Sequence, residues 1–123
     1  MDTTRNKGSA AEEIAVNYLK KNGYEILCQN WYTQHYELDI IARKNGILAI
    51  VEVKSLASNY MREPYQSVTR NKQRMIISAT NAYIRKHNIN DDVRFDIISI
   101  IMNSSEPLIE HMENAFYPSV RWI

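Results

Sequence analysis

Apolar positions along this chain follow two periodicities. Ala11, Ile14, Ala15, Tyr18 and Leu19 recur at helical spacing until Asn22-Gly23, which predicts an amphipathic helix with a glycine stop. Ser9 followed three residues later by Glu12 reads as the capping box that starts it. Tyr24 to Trp31 is aromatic and aliphatic but too short for another helix, so it predicts a first strand. His35 to Arg43 and Ile47 to Lys54 flank Asn45-Gly46, the strongest short signal for a hairpin with a type I′ turn. Near that turn both faces are apolar, with Ile41 and Ile50 on one and Ile40, Ala42, Ala49 and Val51 on the other. Such strands belong in the middle of a sheet covered on both sides.

After a polar loop from Ser55 to Glu63, Tyr65, Val68, Met75, Ile76, Ala79, Ala82 and Tyr83 share one helical face. This predicts a long second helix from Pro64 to His87, with proline near its start. Val93 to Ile101 reads as a fourth strand, and Leu108 to Met112, after Pro107, as a short fifth. The order αβββαβ(β) predicts an α/β fold, a mixed central sheet flanked by helices.

Length narrows the picture further. A chain of 123 residues closes one hydrophobic core, so a single domain over residues 1–123 is expected, with 1–7 flexible. Met1 to Lys7 is polar with no apolar stretch behind it, and no later run is long enough to span a bilayer. The expectation is therefore a cytoplasmic protein with no membrane partner. The one cysteine, Cys28, has no disulfide partner and no zinc-ligand spacing, and is expected as a small buried core residue. A formal net charge of +1 gives no global field, so any case for a charged partner rests on local clusters.

The hairpin carries the chemistry. If Asn45-Gly46 is a two-residue turn, Lys44 faces Ile47, and counting outward sets Asp39 opposite Glu52 and Glu37 opposite Lys54. Alternation projects all four from one face, with paired Cβ atoms roughly 5 Å apart. Two facing carboxylates at the end of a buried strand pair repel strongly. A hard divalent cation, Mg²⁺ or Mn²⁺, converts that repulsion into a binding site, and Lys54 adds a positive donor. The set suits phosphodiester hydrolysis, in which the metal polarises a phosphoryl oxygen and acidifies a water while the lysine orients that water or neutralises developing charge. No rival nucleophile stands out, because Cys28 lacks a nearby histidine and no serine is flanked by glycines.

Each candidate also has an ordinary reading. A lone Glu-x-Lys is commonly a solvated cross-strand ion pair, and Glu12 is accounted for by the capping box. Arg62, Arg70, Lys72 and Arg74 gather around the start of the second helix, as a solvated face or as a grip on backbone phosphates. His35 at the strand entrance is a ligand, a base or incidental. Trp31, Tyr32 and Tyr36 either stack on bases or pack at the rim.

Taken together, GSAAEEIAVNYL (8–19), GYEILCQNW (23–31), ELDIIA (37–42), IVEVKS (50–55), VTRNKQR (68–74), RFDIISI (94–100) and ENAF (113–116) resemble the small bacterial YraN family. That family belongs to the restriction-endonuclease-like PD-(D/E)XK superfamily and is similar to archaeal Holliday-junction resolvases. The resemblance implies that Asp39 and Glu52 are metal ligands, that Lys54 is the catalytic lysine, and that Glu12 is a further ligand or ligand organiser. It implies a supporting polar role for Gln66 and a DNA substrate, with branched or recombination intermediates in view. A four-way junction, being two-fold symmetric, would favour a homodimer. The chain departs from the pattern at Ala11 and Tyr36, where the family usually has glycine, and at Leu56, where it commonly has a basic residue. These departures are expected to crowd the mouth of the site and weaken backbone binding. They also motivate the rival expectation of a noncatalytic nucleic-acid-binding or protein-interaction module that retains the fold.

Overall fold

The computed structural model describes residues 3–33, 36–56, 68–102 and 105–116, with the side chains of the first helix from Ala10 onward. The order is α1 (Thr3–Lys21), β1 (Glu25–Tyr32), β2 (Glu37–Lys44), β3 (Ile47–Leu56), α2 (Arg70–His87), β4 (Asp92–Ile101) and β5 (Leu108–Phe116). The expected α/β fold with a mixed sheet is present, and the fifth strand is longer than the sequence suggested.

The five strands lie in the order β1-β2-β3-β4-β5. Only β3 and β4 are parallel, and α2 makes the crossover that a parallel pair requires. At the hairpin Asn45 and Gly46 both have positive φ, 52° and 76°, as a type I′ turn demands. The register is the expected one, from Lys44 opposite Ile47 through Ile41 opposite Ile50 to Ile40 opposite Val51.

Because side chains alternate across a strand, the sheet has two apolar faces. Ile40, Ala42, Ala49, Val51, Ile98 and Ile100 pack under Ala11, Ala15, Val16 and Leu19 of α1. Ile41, Leu48, Ile50, Phe95 and Ile97 pack under Ile76, Ala79 and Tyr83 of α2. Truncating a fully buried isoleucine in either layer to alanine costs about 2–5 kcal/mol.

Both helix starts differ from expectation. The first helix already begins at Thr3, so Ser9 lies inside it and cannot be its cap, which frees Glu12 from the capping box. The second begins at Arg70, where the extended backbone of Thr69 ends the preceding loop and its hydroxyl accepts from the Lys72 amide at 3.2 Å, an ordinary N-cap. Residues 64–67 of the expected helix lie outside the described residues. Cys28 is half-buried rather than buried. No described helix is long and apolar enough to cross a membrane.

A polar cluster fastens β5 to the rest. Asp96, with no exposed surface, accepts from Arg94 Nε at 2.9 Å, Arg94 Nη2 at 2.9 Å, the Asn114 amide at 3.2 Å and His111 Nε2 at 2.8 Å. A carboxylate only accepts, so Nε2 carries the hydrogen and Nδ1 takes the Tyr18 hydroxyl, 3.0 Å away. Arg94 also donates to the Tyr24 hydroxyl. Burial alone would raise the Asp96 carboxyl, but hydrogen bonds from His111 and Arg94 hold it below the usual aspartate value. The cluster ties α1, β4 and β5 together.

Candidate active site at the fork of the hairpin

The β2–β3 ladder runs to Ile40 opposite Val51. Beyond that pair the Asp39 carboxylate itself accepts the Val53 amide, Oδ2 to N at 2.9 Å, so a side chain takes the place of backbone pairing. Two irregularities accompany the fork. Asn30 in the neighbouring strand has φ 53°, and Leu38 joins the α2-side cluster, although strict alternation would place it with Ile40 on the α1 side. Asp39 thus sits where the strand turns over, within reach of groups from both faces.

Glu52 and Lys54 follow Leu48 and Ile50 in alternation and so lie on the α2 side. Glu52 is 4% exposed. Its Oε1 accepts from the Tyr36 hydroxyl at 3.1 Å, and its Oε2 is buried with no hydrogen-bond partner. An orphaned carboxylate oxygen is costly and rare in folded proteins. Burial, then the Asp39 carboxylate, push the Glu52 carboxyl up to about 8, against the weaker opposing pull of Lys54, Tyr36 and Lys72. Asp39 is also raised, by burial and by Glu37, although the Val53 amide, Lys54 and Lys72 oppose the shift.

The expected convergence is therefore present in part. Asp39, Glu52 and Lys54 come together. Glu37 pairs with Tyr32 of β1 instead of standing across from Lys54, because the ladder ends first, and it acts on Asp39 and Glu12. Glu12 reaches toward Asp39 from α1. It is raised by burial and by Asp39, against an opposing pull from Asn30.

Lys72, expected either on a solvated face or as a grip on backbone phosphates, acts on Asp39, Glu52 and Lys54. Arg70 and Arg74 are exposed. Gln66, Arg62 and His35 lie outside the described residues. Trp31 packs edge-on against Tyr83 with centroids 5.2 Å apart, a core contact, whereas Tyr32 is 69% exposed. What the sequence reading did not give is the Tyr36 hydroxyl's bond to Glu52 and the action of Lys72 on the acid pair itself. Lys72 had a usable signal, since it lies four positions before Ile76 on the inward stripe of α2.

Among the described residues no three histidine, cysteine, aspartate or glutamate side chains form a ready-made metal cage. The residues nevertheless fit a hard cation held by few protein ligands. Mg²⁺ typically takes one or two carboxylates and keeps several waters, and the unpartnered Glu52 Oε2 beside Asp39 is the kind of oxygen such an ion would satisfy.

The protein is of the α/β class, with a forked hairpin that brings a buried glutamate beside a half-buried aspartate and lysine, and comparison with known sequences gives the family. The model of "Uncharacterised protein family UPF0102" matches residues 11–100. The chain is 44% identical over 114 residues to a UPF0102 protein of Parabacteroides distasonis, covering 93% of this chain and 94% of that one. It is 44% identical over 111 residues to one of Bacteroides fragilis (90% and 92% covered), and 41% identical over 110 residues to one of Flavobacterium psychrophilum (89% and 92%). The chain belongs to the UPF0102 family, the YraN family of the sequence comparison.

Proposed function

We propose that this chain is a metal-dependent nuclease of the PD-(D/E)XK kind, hydrolysing phosphodiester bonds in DNA, with branched substrates the leading class. The observation that carries the reading is the buried Glu52 Oε2 without a partner beside a second raised carboxylate, Asp39. A fold does not tolerate two such groups for stability's sake, and strongly perturbed acids in a recess favour a functional site. Asp39 and Glu52 would hold Mg²⁺ or Mn²⁺, with Glu12 organising Asp39 from the other face of the sheet. When bound, the ion supplies Lewis-acid polarisation and a more acidic water.

The chain's own residues have separate tasks. Lys54, half-buried in the site, lies where its ammonium can orient the attacking water and offset charge on the phosphoryl oxygens. In hydrolysis a water oxygen forms a new bond to phosphorus as the ester P–O bond breaks. The water gives up a proton, the departing alkoxide takes one up, and the products are a phosphomonoester and an alcohol. Arg70 and Arg74, exposed on the first turns of α2, are placed to meet backbone phosphates away from the cut.

Two measurements test this. Calorimetric titration with Mn²⁺ should give binding that Glu52→Ala abolishes. Junction, flap, single-stranded and linear DNA incubated with Mn²⁺ should include a substrate that is cut, with Asp39→Asn lowering the rate by at least about 10²-fold. Cleavage unchanged in Asp39→Asn would place the activity elsewhere. The second reading, a noncatalytic binding module, draws on the Tyr36 hydroxyl, which already claims one Glu52 oxygen. Binding of DNA without cleavage under every metal tried would favour it.

A further inference from the structure

We propose that Lys72 is a catalytic residue that, paired with Lys54, seats the non-bridging oxygens of the scissile phosphate, so that the site has an anion half supplied by α2 as well as a cation half supplied by the hairpin. This rests on the nuclease reading and assigns its phosphate subsite.

The placement comes from the helix itself. The buried stripe of α2 is Ile76, Ala79, Thr80 and Tyr83. One turn earlier on that stripe is Lys72, half-buried, whereas Arg70 and Arg74 to either side are exposed. Thr69 fixes this rotation by capping the Lys72 amide at 3.2 Å, and the Gln73 side chain adds a second tie, Nε2 to the Val68 carbonyl at 3.0 Å. The first turn of α2 contains no acidic residue, although that end of a helix favours negative charge.

The pairing of charges is unusual. Lys72 on the inward stripe of α2 acts on Lys54 of β3, and two ammonium groups in a half-buried recess repel. Asp39 and Glu52 offset them only in part while no cation is bound, so an anion can still be drawn there. A divalent ion on the two acids would remove that offset and leave both ammonium groups facing the same space. A phosphodiester carries one negative charge and gains more as water adds to phosphorus, so the lysine pair binds the transition state more strongly than the ground state, as rate acceleration requires. Two point-charge donors from different elements, one on a strand and one on a helix, also fix the position of a tetrahedral group better than one.

The test separates the two halves. In metal-free buffer with EDTA, inorganic phosphate is titrated into the full-length protein and followed by amide chemical shifts. Shifts are expected at Lys54 and around Lys72, with Lys72→Ala weakening the affinity by about tenfold or more and Lys86→Ala, at the far exposed end of α2, leaving it unchanged. Lys72→Ala should retain Mn²⁺ binding, whereas Glu52→Gln should lose Mn²⁺ and keep phosphate. On a cleaved DNA, Lys72→Ala should lower kcat by about 10²-fold with KM little changed, and Arg74→Ala should raise KM. Phosphate shifts that ignore the Lys72→Ala substitution, or a KM effect alone, would overturn the assignment while leaving the nuclease reading intact. Loss of Mn²⁺ binding in the unmutated protein would sink the reading, and the phosphate titration would still decide the lysine pair.

Discussion

Two buried carboxylates sit on adjacent strands of this sheet and have opposite fates. Asp96 on β4 is fully enclosed and every oxygen is met, by Arg94, His111 and the Asn114 amide. Glu52 on β3 is almost as enclosed, yet among the described residues one oxygen has only a tyrosine hydroxyl and the other has no partner. Burial raises both; hydrogen bonding reverses it at Asp96 and fails to do so at Glu52. The difference separates an acid kept for architecture from one that, on the proposed reading, is kept for a ligand, and burial alone would not have told them apart.

The contrast is sharpest in stability. Asp96→Ala removes the fully buried acceptor shared by Arg94, His111 and the Asn114 amide and should cost about 3–5 kcal/mol in urea unfolding. A loss under 1 kcal/mol would remove Asp96 from its architectural role. The pH dependence should run in opposite directions. The folded Asp96 value lies below the ordinary 3.8, so its stabilisation is present above that pH and is lost as pH falls through the folded value. The folded Glu52 value, about 8, lies above 4.5, so its contribution is full below 4.5 and is lost as pH rises through 8. Metal-free protein should therefore lose stability between those two values, and Glu52→Gln should flatten that limb. Mn²⁺ should bind more tightly across the same window, because the carboxyl must shed its proton first.

Smaller effects refine the picture. Tyr36→Phe keeps the ring and removes the only donor to Glu52 among the described residues, and should weaken Mn²⁺ affinity by about 10-fold, toward the lower end for a group that orients a ligand. Glu52→Gln should be neutral or should stabilise the metal-free fold by about 1 kcal/mol at pH 8, since it removes an unsatisfied charge. Thermal melts with and without EDTA check both, and marked destabilisation by the glutamine would contradict the comparison.

Much of this was legible before any coordinates. The Asn-Gly pair fixed the hairpin register, and the two-sided apolar run placed it in mid-sheet, because both signals are local. The meeting of Asp39 with Glu52 followed from counting. What escaped depended on tertiary context. Ser9 looked like a cap because nothing local reveals that the helix starts earlier. Glu37 was expected across from Lys54 because counting cannot foresee a strand pair that forks where a side chain accepts the next amide. The network around Asp96 stayed hidden in RFDIISI, whose aspartate reads as an interruption of a strand until β5 brings His111 beside it. Lys72 stayed open between a solvated face and a phosphate grip, since a run of basic residues reads as one group until each is assigned to a helix face.

The parallel crossover has a consequence for how this recess comes into being. The acid pair closes across a single tight turn and needs few distant partners, whereas its lysine neighbour arrives only once α2 has docked between two side-by-side strands, a longer-range event. On the proposed reading, loosening of that helix should therefore disarm the molecule without disturbing the seat offered to an ion, and a protein warmed just short of melting should still take up manganese after it has ceased to hold phosphate.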